Sequence, residues 1–377
     1  MIEFGWARSE EEKGLLDFGN LVFSLSSVPT DFRALLPKVY GRPGFSKITA
    51  VARDDGRVVG MVAALPGKLQ VLDQTLNYGY IGTVSTHPYH REKGIMKRLM
   101  PLVMERLKEQ GCDFIALNGQ RQRYMHHGFE NAGERLVLEF TRDSLRHVYG
   151  KMGEGAYTFF PLGEASKEAL DFCHDLYLQN DWYSHRARED FALILSSWQG
   201  KAFLVKSGEE NLGYLYATGS GILEYRFADK AVLPLILQKY LAENDLKAVS
   251  LVAEPSLLKE QPRLFEAAAS WQSSPVFQVR VLNWEKVLSA FLSLKAKHAP
   301  LMPGSAVLEI KGEGNFEIQV LDGQASVTAS GKKPDLSLNS FDAIRLVFLR
   351  ESALLFPAVP FFNWFPLPFP FSYPDAF

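Results

Sequence analysis

Gly82 to Leu99 reads G-T-V-S-T-H-P-Y-H-R-E-K-G-I-M-K-R-L, and what this stretch does decides the fold. A run rich in Thr and Val leads to Pro88, then to a basic turn with a single glycine, then to an amphipathic helix. Gly94 permits a tight turn without a Cβ penalty, and the first turn of the following helix presents N–H groups with no intrahelical partner. Those donors, the positive end of the helix dipole, and Arg91 and Lys93 alongside suit an anionic group such as a pyrophosphate. The same residues also fit an ordinary strand-to-helix connection capped by glycine.

The flanking sequence supplies the order of elements. Ser9 to Leu16 suggests a first helix opened by a Ser cap. Thr30 to Leu36 suggests a second, ended by Pro37 and the G-R-P-G turn. Lys47 to Arg53, D-D-G-R and Val58 to Leu65 form a hairpin turning at Asp55-Gly56. Strands near Leu69 to Leu72 and at Tyr78 to Thr86 follow. Ile95 to Glu109 carries Ile95, Leu99, Leu102, Val103 and Leu107 at helical spacing. Phe114 to Leu117 is a short apolar strand, and Leu136 to Phe140 is expected to close the sheet after a helical turn near Tyr124. The pattern is α/β (α+β).

Val84, Ser85 and Thr86 before Pro88, then R-x-x-G at Arg91 to Gly94, resemble the acetyl-CoA-binding signature of the GNAT N-acetyltransferase superfamily, and the element order is similar too. The resemblance implies a splayed fourth strand whose backbone at Val84, Ser85 and Thr86 binds the pantetheine arm. It implies that the turn amides of Arg91, Glu92, Lys93, Gly94, Ile95 and Met96 bind the pyrophosphate. Met96 stands where the family often has a small residue, a change that removes no backbone donor. Asn118 and Gly119, after the fifth strand, match positions that contact the cofactor arm, so acetyl-CoA is the implied co-substrate.

The chain has 377 residues, 47% hydrophobic and 22% charged, a globular composition with material for two or three domains. A formal net charge of −2 argues against nucleic acid or an anionic membrane as partner. No stretch is apolar for the ~18 residues a membrane span requires. The N-terminal M-I-E-F-G-W-A-R lacks the basic-then-apolar order of a secretion signal. Cys112 and Cys173 form no C-x-x-C pair and read as buried thiols in a reducing compartment, with the cytoplasm expected.

From about Lys151 a similar order begins again. Lys167 to Leu178, Ala187 to Trp198 and Leu233 to Leu241 read as helices. Ala202 to Val205, Leu212 to Thr218, Ile222 to Ala228 and Ala248 to Ala253 read as strands. The connection F-A-D-K-A-V-L-P contains no glycine and puts an Asp where phosphate would approach, which suggests a second GNAT-like domain without cofactor binding. Val287 to Leu294 opens a third region. Its strands Ser305 to Ile310, Phe316 to Val320 and Ala325 to Ala329, with a D-G turn at Asp322-Gly323 and a helix at Ser340 to Leu349, resemble a sterol-carrier-protein-like domain. The expected division is therefore 1–150 for a catalytic GNAT domain, 151–285 for the degenerate copy and 286–377 for the sterol-carrier-like domain.

The last stretch, Phe356 to Phe377, reads F-P-A-V-P-F-F-N-W-F-P-L-P-F-P-F-S-Y-P-D-A-F. Prolines at 357, 360, 366, 368, 370 and 374 forbid a regular helix or central strand. The aromatic rings are costly to leave in water, so an extended tail should lie across folded structure with its last residue held. A subunit-contact tail and a frayed terminus are the alternatives.

Taken together, these regions resemble the Eis (enhanced intracellular survival) acetyltransferases over essentially the whole chain. Y-M-H-H-G-F at Tyr124 to Phe129 matches that family's Y-x-x-x-G-aromatic segment, which implies Tyr124 as general acid; His127 departs from the aromatic residue expected there. The resemblance also implies that the α-carboxylate of Phe377 is the base. A homo-oligomer, possibly a hexamer, and acceptors such as aminoglycosides, polyamines or protein lysines are implied in the same way.

The chemistry suits those roles. An amine must lose a proton to attack a thioester, and the departing thiolate gains from a phenol donor of pKa near 10. A free α-carboxyl, with a pKa of about 3.3–3.7, is a weak base in water that burial would strengthen. Metal chemistry is not expected: His87 and His90 in H-x-x-H, and His126-His127, have no Cys or carboxylate cluster to complete a set. The competing possibility is a non-enzymatic carrier of lipid or another apolar ligand, resting on the third region and the apolar tail.

Overall fold

The structure is a computed structural model that describes residues 1–26, 28–151, 157–356 and 363–377. Prolines 357 and 360, at the start of the aromatic tail, lie outside the described residues. Contacts divide the chain into two compact units: residues 1–134, 275–370 and 376–377, and residues 135–274 and 371–375.

In the first unit the central sheet begins with β1 (Glu3–Trp6), β2 (Thr49–Asp54), β3 (Arg57–Val71), β4 (Gln74–Thr86), β5 (Phe114–Leu117) and β6 (Glu130–Ala132). Its order is β1-β2-β3-β4-β5, then strand Phe277–Val281, then β6. The β2–β3 turn has both Asp55 (φ 47°) and Gly56 (φ 74°) in the left-handed region, as a two-residue D-G hairpin requires. The separate strand expected near Leu69 is instead the end of β3. Pro66 and Gly67 do not break it, because they pair with Gly79 and Tyr78 on β4.

Helices accompany the first five strands of this sheet. They are α1 (Glu12–Ser24), α2 (Phe32–Leu35), α3 (Pro37–Tyr40) and α4 (Ile95–Glu109). Ser9 is not a cap. It starts a 3-10 turn preceded by Arg8, whose N–H donates to Glu11 Oε2 at 2.7 Å. Asp31 caps α2, accepting from the N–H groups of Arg33 and Ala34. Pro37 does not merely end that helix; at a first helical position its missing N–H costs nothing, and it opens α3. Ile95, Leu99, Val103 and Leu107 of α4 are buried in a core with Ala50, Val62, Ile81 and Ile115. Burial on that scale contributes about 1.5–3 kcal/mol per large aliphatic side chain.

Leu136 to Phe140 does not close this sheet. Strand Arg135–Thr141 pairs instead with Ala248–Ala253 and Ser270–Ser274 in the second unit. In the first sheet, Phe277–Val281 takes the place beside β5, antiparallel to it and to β6. The compact units therefore cross the boundaries at 150 and 285. The rest of the first unit is a sheet of Gln324–Ala329, Gly314–Leu321, Gly304–Ile310 and Leu336–Leu338, in that order, with helices Trp284–His298 and Ser340–Phe348. The tail is buried here: Phe369, 1% exposed, packs among Phe114, Phe277, Phe291 and Phe348, and Trp364 Nε1 donates to Met302 O at 2.8 Å.

The second unit holds one sheet. Its order is Ser270–Ser274, Arg135–Thr141, Ala248–Ala253, Gly221–Phe227, Glu210–Thr218, Lys201–Ser207 and Thr158–Pro161. Helices Lys167–Leu178 and Leu233–Glu243 form where the apolar spacing placed them. The helix expected over Ala187 to Trp198 is broken into short turns, with Trp198 at φ 60°. Both cysteines are buried, and burial pushes the Cys112 thiol up to about 11 and the Cys173 thiol up to about 12, so neither is a reactive thiolate. No helix among the described residues is long and apolar enough to cross a membrane.

Candidate active site

β4 and β5 run parallel and pair only from Tyr78↔Phe114 to Ile81↔Leu117. Beyond Ile81, β4 continues to Thr86 while β5 has ended, so the sheet opens into a fork. The other edge of β4 distorts at the same level. Met61 faces Ser85 but Ala63 faces Gly82, so one extra residue bulges from β4. Thr83 in the bulge adopts φ 46°, an uncommon conformation for a β-branched residue. A hydrogen bond of 2.6 Å between Tyr40 Oη and Thr83 Oγ1 ties the bulge to α3, and Ser85 Oγ donates to Thr83 O at 3.2 Å.

The end of the chain packs against β4 at Gly82, the first residue past its pairing with β5. A methyl group added at Gly82 would come within 2.9 Å of the carboxyl carbon of Phe377 and of two of its ring carbons. Phe377 is 6% exposed, its ring 6.0 Å from that of Tyr40, and Lys38 Nζ donates to the carbonyl of Ala376 at 2.7 Å. Burial raises the Tyr40 phenol well above its ordinary value, its bond to Thr83 opposing in part, so it stays protonated.

Beyond the fork, Val84, buried Ser85 and Thr86 complete β4, and the basic turn follows. Arg91, Glu92 and Lys93 are exposed, while Ile95 is buried and Met96 packs against the α4 core. Glu92 (φ 65°) and Gly94 (φ 73°) are both left-handed, and Gly94 is the cap of α4, offering no side chain to its first N–H groups. A Cβ at Gly94 would meet nothing within 4 Å, so the space over those amides is open. The turn therefore fits an anionic phosphate group by backbone donors and dipole.

Asn118 and Gly119 leave the end of β5 and are exposed. Gly119 is pressed against Tyr124: a Cβ there would lie 2.3 Å from the tyrosine Cε2. Gln278 Nε2 donates to Gly119 O at 2.6 Å, so the strand inserted beside β5 helps hold this turn. Tyr124 ends a four-residue helix, Arg121–Tyr124, with its ring 6.4 Å from buried Phe129. Burial raises its phenol pKa, an effect the charge of Arg123 partly opposes, and its hydroxyl has no hydrogen bond among the described residues. A protonated, unengaged phenol can donate. At His127, where an aromatic residue was expected, the backbone carbonyl accepts from Arg280 Nη1 at 2.8 Å, and burial, with the charges of His126 and Arg280, lowers the imidazole pKa.

Glu12, Lys38, Tyr40, Gly82 and Gln278 were missed by sequence reasoning. Glu12 accepts from the N–H groups of Gly44 and Ser46 at 2.8 and 3.1 Å and so fixes the turn that follows α3. Gly82 opens the decisive stretch but carries no side chain to read, and the other four sit in no motif; only their approach in space marks them. His90 Nε2 lies 3.1 Å from Asp54 Oδ2, and among the described residues no three His, Cys, Asp or Glu side chains group as metal ligands do.

The second unit repeats the fork without the phosphate turn. Gly221–Phe227 pairs in parallel with Ala248–Ala253 only at Gly221↔Ser250 and Ile222↔Leu251. After it, Asp229 accepts from the N–H of Ala231 at 2.8 Å, so a carboxylate fills the place a phosphate would take. Glu224, on the strand that diverges, meets buried Arg186 through two bonds of 2.8 Å. Arg186 also makes two bonds of 2.9 Å to Asp375, and Ser372 donates to Glu224, so tail residues are held against this strand.

Residues 6–132 match the family model described as "Acetyltransferase (GNAT) domain". The GNAT fold extends further in solved structures. A GCN5-related N-acetyltransferase from Anabaena variabilis is 17% identical, with a TM-score of 0.67 over 94% of this chain and 92% of that one. One from Kribbella flavida is 16% identical, with a TM-score of 0.63 over 91% and 88%. Eis1 from Mycobacterium abscessus is 15% identical, with a TM-score of 0.61 over 91% and 88%. At these identities the likeness is one of fold. No curated protein matches the chain. The mixed α/β architecture is thus that of GNAT proteins across most of the chain, and within it residues 6–132 match the acetyltransferase domain model.

Proposed function

We propose that the protein is an acetyl-CoA-dependent N-acetyltransferase acting on a primary amine. The observation that carries the proposal is the seating of the chain's own carboxyl group at Gly82, in the mouth of the β4–β5 fork. Acetyl-CoA supplies the activated acyl group. The backbone of Val84, Ser85 and Thr86 lines its arm, with Asn118 and Gly119 opposite, and the amides from Arg91 to Met96 receive its pyrophosphate. The Phe377 carboxylate attracts the ammonium form of the acceptor, takes its proton and leaves a neutral amine to attack the thioester. Tyr124 donates a proton to the departing thiolate, which lowers the barrier as general acids do, typically by 10²–10⁴-fold. Both groups sit in poorly hydrated surroundings, where charge interactions are stronger than in water.

The same proposal takes the middle of the chain as a GNAT-like domain that shapes the acceptor cleft and the last third as a sterol-carrier-like domain that delivers the terminus. It places the enzyme in the cytoplasm as a homo-oligomer, possibly a hexamer, with an aminoglycoside, a polyamine or a protein lysine as acceptor. The test is release of CoA thiol from acetyl-CoA across an amine library. Turnover with at least one primary amine, and none with the corresponding tertiary amines, is the expected result; inertness towards every amine by a protein that binds acetyl-CoA would overturn it.

A further inference from the structure

The catalytic proposal requires a chain terminus to hold one position, and termini ordinarily fray. Something must fix the last peptide unit, and the structure shows what touches it. The single turn α3 contributes two side chains. Lys38 Nζ donates to the carbonyl of Ala376 at 2.7 Å, which sets the plane of the peptide bond joining Ala376 to Phe377. Tyr40, two residues on, lies 3% exposed beneath the Phe377 ring and bonds Thr83 of the bulge. α3 is itself held: Pro37 pre-sets its first turn, and the loop after it is fastened by Glu12.

We infer that α3 is a clamp for the chain terminus and that Lys38 is a positioning residue for the terminal carboxylate. It acts through the peptide bond one unit before that carboxylate. A lysine has reason to be there beyond solubility: its ammonium is directed at a carbonyl inside a partly buried site, a charge-assisted bond of the stronger class. Without it the Ala376–Phe377 peptide loses its bond to Lys38, and the carboxylate gains freedom to rotate away from Gly82. A displacement near 1 Å at a reacting group costs on the order of 10²-fold in rate.

This inference rests on the carboxylate acting as base, so the experiment separates the two. Three full-length proteins are compared with the wild type by thiol release at saturating amine: Lys38→Met, Lys38→Arg, and wild type extended by one glycine after Phe377. Thermal melts check that each is folded. The clamp predicts that Lys38→Met lowers kcat by about 10–100-fold while KM for acetyl-CoA stays within about twofold. Lys38→Arg, which keeps a donor, should recover most of the rate. Normal kcat in Lys38→Met alongside an inactive extended protein overturns the clamp and leaves the base in place. Normal kcat in the extended protein overturns the base and the clamp together. A folded Lys38→Met that loses acetyl-CoA affinity at unchanged kcat also overturns the clamp, because Lys38 would then serve the cofactor.

Discussion

Gly82→Ala is the smallest perturbation that reaches the proposed base, and its size can be worked from the coordinates. Gly82 is not among the residues with positive φ, so alanine adds no backbone strain there and acts only through its methyl group. That carbon would stand 2.9 Å from the Phe377 carboxyl carbon, Cγ and Cδ1, where ordinary contact lies at 3.4–4 Å. The terminus must therefore withdraw by roughly 0.5–1 Å, since β4 is fixed on its other side by pairing with β3. A displacement of that size at a reacting group lowers the rate by about 10–100-fold. The stability cost should sit at or below the low end of the ~1–3 kcal/mol typical of overpacking, because a chain end can slide where a core residue cannot. Thiol release at saturating amine and acetyl-CoA gives kcat, and urea unfolding gives the stability. A folded Gly82→Ala protein with kcat within twofold of wild type would refute a catalytic role for the carboxylate in this position.

Tyr124→Phe should lower kcat by about 10²-fold or more with little change in acetyl-CoA affinity by calorimetry; equal losses in both would remove the proton-donor role. Gly94→Val forces a β-branched residue to φ 73° and raises a side chain over the α4 amides, so acetyl-CoA affinity should fall at least tenfold, and an unchanged Kd would exclude the turn as the phosphate site. Burial alone would raise the Glu224 carboxyl, but the charge and hydrogen bonds of Arg186, with Arg226 and Ser372, outweigh it and bring the pKa to about 2 from 4.5. Because the folded value is depressed, the stabilisation is full above pH ~4.5 and lost as pH falls towards 2; it is on the order of 3 kcal/mol, about 2 of which should be gone by pH 3. Urea unfolding at pH 7 and pH 3 should show that extra loss in wild type but not in Glu224→Gln, and parallel losses in both would contradict it.

How much of this was legible follows the distance over which each feature is encoded. The α4 helix is written in its own spacing, since Ile95, Leu99, Val103 and Leu107 must share a face, and Gly94 marks its start. The D-G turns at Asp55-Gly56 and Asp322-Gly323 are two-residue signals, and both formed with positive φ. Pro37 misled because proline both ends one helix and opens the next, and only the caps tell which. The closing strand was misassigned for a different reason. Leu136 to Phe140 (L-V-L-E-F) and Phe277 to Val281 (F-Q-V-R-V) are both short strand-forming runs, and nothing local says which sheet either joins.

The fork explains why the least local part of the site is also the part that makes it a site. A parallel pair of strands that diverges leaves backbone N–H and C=O groups without a ladder partner, and groups of that kind must be satisfied by something. In the first unit Phe377 packs at Gly82, where β4 leaves β5, and in the second Ser372 and Asp375 of the same tail meet Glu224 and Arg186. The two fillings differ in a way that chemistry can use. In the second unit, Glu224 and Asp375 share one buried guanidinium through four bonds, so both carboxylates are engaged by Arg186. In the first, Lys38 Nζ donates to the carbonyl of Ala376, one peptide unit before the carboxylate that the proposed mechanism uses as base. One stretch of the tail is thus held by buried ion pairs, and the other is the stretch to which the proposed mechanism gives the base.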